Sequence, residues 1–312
     1  MVSPDTVYRQ LPEGLSARVR VPASSANLGP GFDSLGIALG LYDEVVATTT
    51  PAGIDVDVAG EAADEVPRDA NHLVVRALLA GLAHAGVSAA GLHLKTVNAI
   101  PHSRGLGSSA SAAVSGLAAA SGLVSAAGLG DPISDGDLVQ LASAFEGHPD
   151  NAAASVLGSA VVTWIEPGEH PAYGARRLGV HPDIRATVFV PATESSTSYT
   201  RGLLPDAVPR TDAIFNVSRA ALAVVALTSD PRCLFAATDD RLHQPYRAEA
   251  MPETSRLVAE LRARGYAATV SGAGPSVLVL DTRSLDAGTR ELASEQGFRV
   301  QQLEIAGGVR IG

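Results

Sequence analysis

The chain has 312 residues, 46% hydrophobic and only 4% aromatic, so it can bury a sizeable core built mainly from Ala, Val and Leu. Its formal net charge of −10, from 33 acidic and 23 basic side chains, disfavours non-specific contact with nucleic acid or an anionic membrane. A single cysteine, Cys233, excludes an internal disulfide and a cysteine-based metal cluster.

Met1 to Gln10 carries charges and Pro4 and lacks the apolar core of a signal peptide. Ala220–Leu227, the longest apolar stretch, is too short to span a bilayer, so the expected location is cytoplasmic. Ala17–Val21 alternates arginine with valine and predicts a half-buried strand. A turn-rich Pro22–Gly31 follows, then an apolar run over Leu35–Leu41 and a β-branched strand over Glu44–Thr50. Asn71 is positioned to cap a helix reaching about His84, and Leu92–Val97 alternates again. Ala110, Ala113, Val114, Leu117 and Ser121 then recur at helical spacing. Asp137 reads as the N-cap of another helix, with Leu138, Leu141, Ala142 and Phe145 as its apolar stripe and Gly147 as its stop. Ser159–Ile165 reads as a strand.

Around Glu166–Arg177 the pattern lapses into Pro, Gly and charge, which places a domain junction there: residues 1–166 and 167–312. The second half predicts a strand at Ala186–Val190 and helices over Asp212–Leu227 and Glu253–Arg264. Strands at Ala267–Val270 and Val277–Leu280, a helix near Leu285–Gln296 and a strand near Val300–Ile305 complete it. Strands and helices mix in both halves, so the class is α+β.

The segment richest in chemistry is Pro101-His102-Ser103-Arg104-Gly105-Leu106-Gly107-Ser108-Ser109-Ala110-Ser111. Glycines let successive backbone N–H groups converge into an anion nest, and the following helix adds its positive end. Ser108 and Ser109 offer hydroxyls to a phosphate or a magnesium ion, and Arg104 supplies the local positive charge that an acidic chain needs. The plainer alternative is a strand-to-helix turn with a serine N-cap. No Walker or Rossmann glycine pattern is present.

Pro101 to Ser111 resembles the P-x-x-x-G-L-G-S-S-A loop of the GHMP kinases. Two further segments agree in order. Val21 to Asp33 resembles the first motif in its homoserine kinase form, and Ser271-Gly272-Ala273-Gly274-Pro275-Ser276 resembles the C-terminal glycine motif, with Ala273 where Gly or Ser is commoner. Glu146-Gly147-His148-Pro149-Asp150-Asn151, Thr197-Ser198-Tyr199-Thr200-Arg201 (Thr200 replacing the usual Ala) and Leu242-His243-Gln244-Pro245-Tyr246-Arg247 point to the homoserine kinase branch.

The resemblance implies ATP and Mg2+ as cofactors, L-homoserine as acceptor, and two domains: an N-terminal α/β domain carrying the phosphate loop and a ferredoxin-like C-terminal domain. It also implies that the last strand can pack on the N-terminal domain, and members of the family are often homodimers, although no residue pattern here signals an interface. It places magnesium on Ser109 and Glu146. A zwitterionic acceptor needs an acceptor for its ammonium, which Asp33 and Asn27 offer, and donors for its carboxylate, which Arg201 and Arg247 offer. Thr197 and Gly274 belong to the acceptor site by the same resemblance. The reacting hydroxyl would lie beside Asn151 and His148, although His148 could equally cap its own turn. Asp150 is a neighbour that could act as base, but homoserine kinases resemble this chain in placing Asn151 at that position. The expectation is therefore catalysis by orientation and charge neutralisation. Two rivals stay open: a GHMP kinase for another alcohol such as mevalonate, and a catalytically silent relative that binds a small molecule.

Overall fold

The computed structural model describes residues 8–195 and 197–312. Its first half runs β1 (Arg9–Gln10), β2 (Ser16–Ala26), β3 (Leu35–Thr50), β4 (Gly53–Gly60), α1 (Leu73–His84), β5 (Val87–Ser88), β6 (Gly91–Asn98), α2 (Ser108–Ala126), α3 (Asp135–Glu146), α4 (Asp150–Leu157), β7 (Ala160–Glu166) and β8 (Ala172–Leu178). The second half runs β9 (Arg185–Pro191), α5 (Thr197–Gly202), α6 (Arg210–Thr228), α7 (Leu234–Ala237), α8 (Gln244–Arg247), α9 (Pro252–Ala263), β10 (Ala268–Val270), β11 (Val277–Asp281), α10 (Ala287–Glu295), β12 (Phe298–Leu303) and β13 (Arg310–Ile311).

The larger sheet has the order β13-β2-β3-β6-β4, with the β7–β8 hairpin joined to the other end of β3. The smaller sheet, β10-β11-β9-β12, is antiparallel throughout. Each sheet buries one face under helices, which gives a two-domain α+β fold.

β2 alternates exposed and buried side chains up to Val21 and is then buried on both faces through Ala26. Sequence pattern alone makes Pro22–Gly31 a turn. The structure keeps the strand going because the C-terminal domain covers its outer face, and a register shift between Pro22 and Ala23 accommodates the proline. The apolar run at 35–41 and the predicted strand at 44–50 are likewise one strand, β3, long enough to serve β6 and β7 at opposite ends.

α2 is the central helix, with most of its residues buried among α1, α3 and β2. A methyl group on Gly116 would approach the Val74 carbonyl oxygen to 2.2 Å, so α1 and α2 pack at a separation that only glycine permits. α3 is capped by Ser134, whose Oγ accepts from the Asp137 N–H at 3.1 Å; Asp137, the predicted cap, sits three residues further in. Gly147, at φ +80°, ends α3 as its left-handed cap.

The segment read as a junction at 166–177 joins β7 to β8 and contains most of β8, which pairs with β7 along its length. The final residues return to the larger sheet: Ile305 bridges Leu39, Gly307 bridges Gly158, and β13 pairs with β2. Two helices, α2 and α6, reach 19 residues with few charges, longer than the stretch that composition alone picks out. α2 spends that apolarity inside the core, whereas α6 has an outward face carrying Ile214, Val217 and Val225.

Candidate active site

The three glycine-bearing segments converge between the two domains and are lashed together through their backbones. Ser24 N donates to Leu106 O at 3.1 Å, Gly272 N to Ala26 O at 3.2 Å and Ser276 N to Arg104 O at 3.3 Å. The Ser271 hydroxyl bonds the Gly105 carbonyl at 2.6 Å and the Ser25 hydroxyl at 2.8 Å. Gly107 has φ +70°, and a Cβ there would lie 2.0 Å from Ser24 Oγ, so both conformation and space demand glycine. No side chain caps α2, whose N-cap is Gly107, so the Ser108 and Ser109 hydroxyls are not spent on capping. That removes the plain turn-and-cap reading of the loop.

A carboxylate the sequence did not single out secures both ends of this loop. Asp43, buried on β3, accepts from Ala99 N at 2.8 Å, Ile100 N at 3.0 Å and Ser111 Oγ at 3.2 Å. Burial pushes its carboxyl up, and the two backbone bonds and the serine partly offset that.

Two cavities meet at the loop, sharing Ser103, Ser108 and Ser109. The first, about 420 Å³, is lined by Gly105, Gly107, Glu146, His148, Asp33 and Arg201 among others. The second, about 290 Å³ with largely apolar walls, is lined by Val66, Pro67, Asn71, His72, Leu73 and Asn98, with Ser115 at one side. Among the described residues, Ser115 Oγ is a buried hydroxyl without a hydrogen-bond partner.

Glu146, at the end of α3, faces the first cavity beside Ser109. Burial pushes its carboxyl up, opposed by a hydrogen bond from Ser109 and the nearby His148. A desolvated carboxylate already hydrogen-bonded to a serine hydroxyl beside the glycine-rich loop is a donor set suited to a hard divalent cation. His148 Nδ1 donates to Asp150 Oδ1 at 2.9 Å. Burial acts to lower that imidazole's pKa, but the Asp150 bond and the charges of Asp150, Glu146 and Asp33 raise it on balance. Asn151 N also donates to Asp150 Oδ1, at 2.8 Å, while Asn151 Oδ1 accepts from Ser24 Oγ at 3.0 Å.

Asp33 and Arg201 form a fork-to-fork pair at the far end, with both N···O distances at 2.8 Å. The Asp33 hydrogen bond raises Arg201 above its ordinary value despite partial burial. Arg247 is fully buried and donates from Nε to Thr200 O at 3.1 Å and from Nη1 to His243 Nδ1 at 3.1 Å. Burial, then the charge of Arg201, bring it down to about 10, so it remains a cation at neutral pH but an under-compensated one. The Phe32 ring lies against both guanidinium groups, 5.2 Å from Arg201 and 5.4 Å from Arg247.

Several expected contacts take another form. Arg104 does not line the first cavity: its guanidinium donates to the carbonyls of Pro191, Ala192 and His102 and pairs with Glu194 at 3.0 Å. Its charge is spent on carbonyls at the end of β9 and in its own loop and on Glu194, not on the cavity. Leu106, Ala110 and Ser111 are buried behind the loop, and Pro101 borders a different surface pocket. Asn27 lines the cavity, but its carboxamide is tied to backbone, donating to Gly272 O at 2.8 Å and accepting from Asp33 N at 3.1 Å. It therefore orients Asp33. Gly272 and Ala273 reach the cavity, whereas Gly274 turns back against Met251. The side chain of Thr197 lies outside the described residues. Phe145 and Asp43 belong to none of the quoted motifs, and Phe32, though inside the first motif, has no role assigned by it; the three-dimensional arrangement places all three at the site.

A glycine-rich anion nest opening onto a two-domain cleft, with a carboxylate and serine beside it, matches what sequence comparison finds. The GHMP kinases N terminal domain matches residues 72–159 and the GHMP kinases C terminal domain residues 223–296. The chain belongs to the GHMP kinase family. Within that family it is 60% identical over 305 residues to a homoserine kinase of Rhodococcus erythropolis, covering 96% of this chain and 97% of that protein. To a homoserine kinase of Mycobacterium tuberculosis it is 56% identical over 302 residues, covering 96% and 95%. Among solved structures, a homoserine kinase from Cytophaga hutchinsonii superposes with a TM-score of 0.81 at 24% identity, covering 95% of this chain and 97% of that one.

Proposed function

We propose that this protein transfers the γ-phosphoryl group of ATP to the side-chain hydroxyl of L-homoserine, giving O-phospho-L-homoserine and ADP. One observation carries the reading: a single cavity has an anion nest at one end and, at the other, Asp33 opposite Arg201 and Arg247. That charge set complements an α-amino carboxylate, with ammonium on Asp33 and carboxylate on the two guanidinium groups. The homoserine kinases at 56–60% identity support the same acceptor. Their names also imply a place in threonine biosynthesis.

The triphosphate lies along the loop from the apolar cavity to the charged one, with the base among Val66, Pro67, Leu73 and Asn98 and the γ-phosphate near Ser109. Glu146 and Ser109 would hold magnesium, which would supply charge neutralisation to the transferring phosphates. The acceptor hydroxyl sits beside Asn151 and His148. Its oxygen bonds phosphorus as the bridging oxygen leaves with ADP, the hydroxyl proton passes late to an oxygen of the transferred phosphoryl group and on to solvent, and Asn151, fixed by Ser24, keeps the line of attack. Asp150 is engaged by His148 and Asn151 N, so it orients the imidazole.

Mevalonate carries a carboxylate but no ammonium, so it offers Asp33 nothing in exchange for Arg201, which sets homoserine ahead of it. The acidic balance disfavours nucleic acid and membrane as partners. A cytoplasmic location and a homodimer complete the proposal; the outward apolar face of α6 is a surface a second copy would cover, and light scattering measures that.

The test is ADP release with magnesium-ATP against homoserine, mevalonate, galactose, shikimate and no acceptor. Turnover with homoserine alone is expected. Turnover with another alcohol would reassign Asp33, Arg201 and Arg247. ATP binding without any turnover would favour a silent relative.

A further inference from the structure

The two arginines at the acceptor end are held in different ways. Arg201 is about two-fifths exposed and spends both terminal nitrogens on Asp33, so an incoming zwitterion must exchange with that pair. Arg247 is fully buried and fixed before any ligand arrives. Its Nε is tied to Thr200 O and its Nη1 to His243; among the described residues Nη2 makes no hydrogen bond. The direction in which Arg247 faces the cavity is therefore set jointly by the Thr200 carbonyl on Nε and by His243 on Nη1, the latter being its one side-chain partner among the described residues.

His243 is fully buried, one turn before Arg247, and both ring nitrogens are engaged. Nε2 lies 2.8 Å from Gly29 O and Nδ1 lies 3.1 Å from Arg247 Nη1. A guanidinium only donates and a carbonyl only accepts, so the ring is neutral, with its proton on Nε2 and a lone pair on Nδ1. The ring also packs against Phe32, with centroids 5.3 Å apart. Its backbone is held as firmly: Asp240 accepts from the N–H groups of Leu242, His243 and Gln244 and from Asn216 Nδ2 of α6. Gln244 Oε1 accepts from Val270 N at 2.8 Å, just ahead of the C-terminal glycine segment.

We infer that His243 is a positioning residue for the acceptor: its Nδ1 lone pair aims Arg247 at the substrate carboxylate, with Gly29 as the fixed point. This rests on the acceptor reading above. A buried imidazole could instead serve packing alone, and the two roles separate by which nitrogen is replaced. His243→Asn puts an amide oxygen near the Nδ1 position and keeps an acceptor for Arg247 while losing Gly29. His243→Gln puts an amide nitrogen near Nε2 and keeps the Gly29 bond while leaving Arg247 Nη1 without its acceptor.

The experiment measures KM for homoserine and for ATP, and the melting temperature, in wild type, both variants, Arg247→Ala and Arg247→Ala/His243→Gln. His243→Gln is expected to raise the homoserine KM by roughly tenfold to a hundredfold, the effect of losing a hydrogen bond to a charged group, with the ATP KM within about twofold. His243→Asn is expected to stay near wild type in homoserine KM while melting lower. Adding His243→Gln to Arg247→Ala should add little further. Equal KM effects in both variants, parallel changes in both substrates, or full additivity in the double variant would overturn the role. If wild type neither binds nor turns over homoserine, the acceptor assignment falls and takes the role of His243 with it.

Discussion

Charge at the phosphate end is where single side chains matter most. Glu146 is a carboxylate that burial has already made costly, and Ser109 is its hydroxyl neighbour. On the proposed reading the two groups would hold magnesium, so Glu146→Ala and Ser109→Ala should each lower kcat by roughly 10²–10³-fold, the scale of a lost electrostatic contact in a reaction centre. Asp150→Asn is different. An amide oxygen in place of Oδ1 still accepts from His148 and Asn151 N, so the imidazole keeps its orientation and only charge is lost. Steady-state kinetics should show a fall of about tenfold or less for Asp150→Asn, smaller than a lost general base would give. A loss as deep as that of Glu146→Ala, with ATP binding intact, would make Asp150 a base. At the other end, Arg201→Ala should raise the homoserine KM roughly a hundredfold with little change for ATP. Arg201→Lys should not restore it, because an ammonium cannot make the fork-to-fork pair.

Between elements, the chain shows which features of pattern carry through to three dimensions. The helix after the phosphate loop is legible because Ala110, Ala113, Val114 and Leu117 keep helical spacing, and Gly147 marks the end of α3 because only a left-handed residue closes it cheaply. The 22–26 stretch is not legible as strand, since its outer face is covered by residues more than two hundred positions away in sequence. The same limit applies to Arg104: its sequence position beside the glycines suggests phosphate, but its direction is set by carbonyls at 191 and 192. Close packing between α1 and α2 gives a direct check. Gly116→Ala places a methyl 2.2 Å from the Val74 carbonyl oxygen, so one helix must move. Thermal unfolding should show a loss of about 1–3 kcal/mol, the usual cost of overpacking.

At the scale of the whole molecule, buried histidine couples stability to pH. Burial, reinforced by Arg247, lowers the pKa of His243 although Asp240, the Gly29 carbonyl and Asp33 act the other way. The unfolded chain takes up a proton near pH 6.5 that the native state refuses, so stability from this group is complete above 6.5 and declines as pH falls below it. His243 should contribute up to about 1.4 kcal/mol per pH unit over that window. Melting curves between pH 7.5 and 5.5 should steepen in wild type and flatten in His243→Gln, and parallel slopes would show that other groups dominate.

The sequence by itself determined the class of fold, the phosphate loop and the local motifs, because each depends on spacing or on a glycine within a few residues of its neighbours. Tertiary structure decided everything that depends on facing. It turned Arg104 outward, spent Asn27 on the backbone, and set Asp43 beneath the loop. It paired Asp33 with Arg201 and placed His243 between Gly29 and Arg247. A hydrogen bond is directional and short, so its partner is fixed only when distant segments have packed.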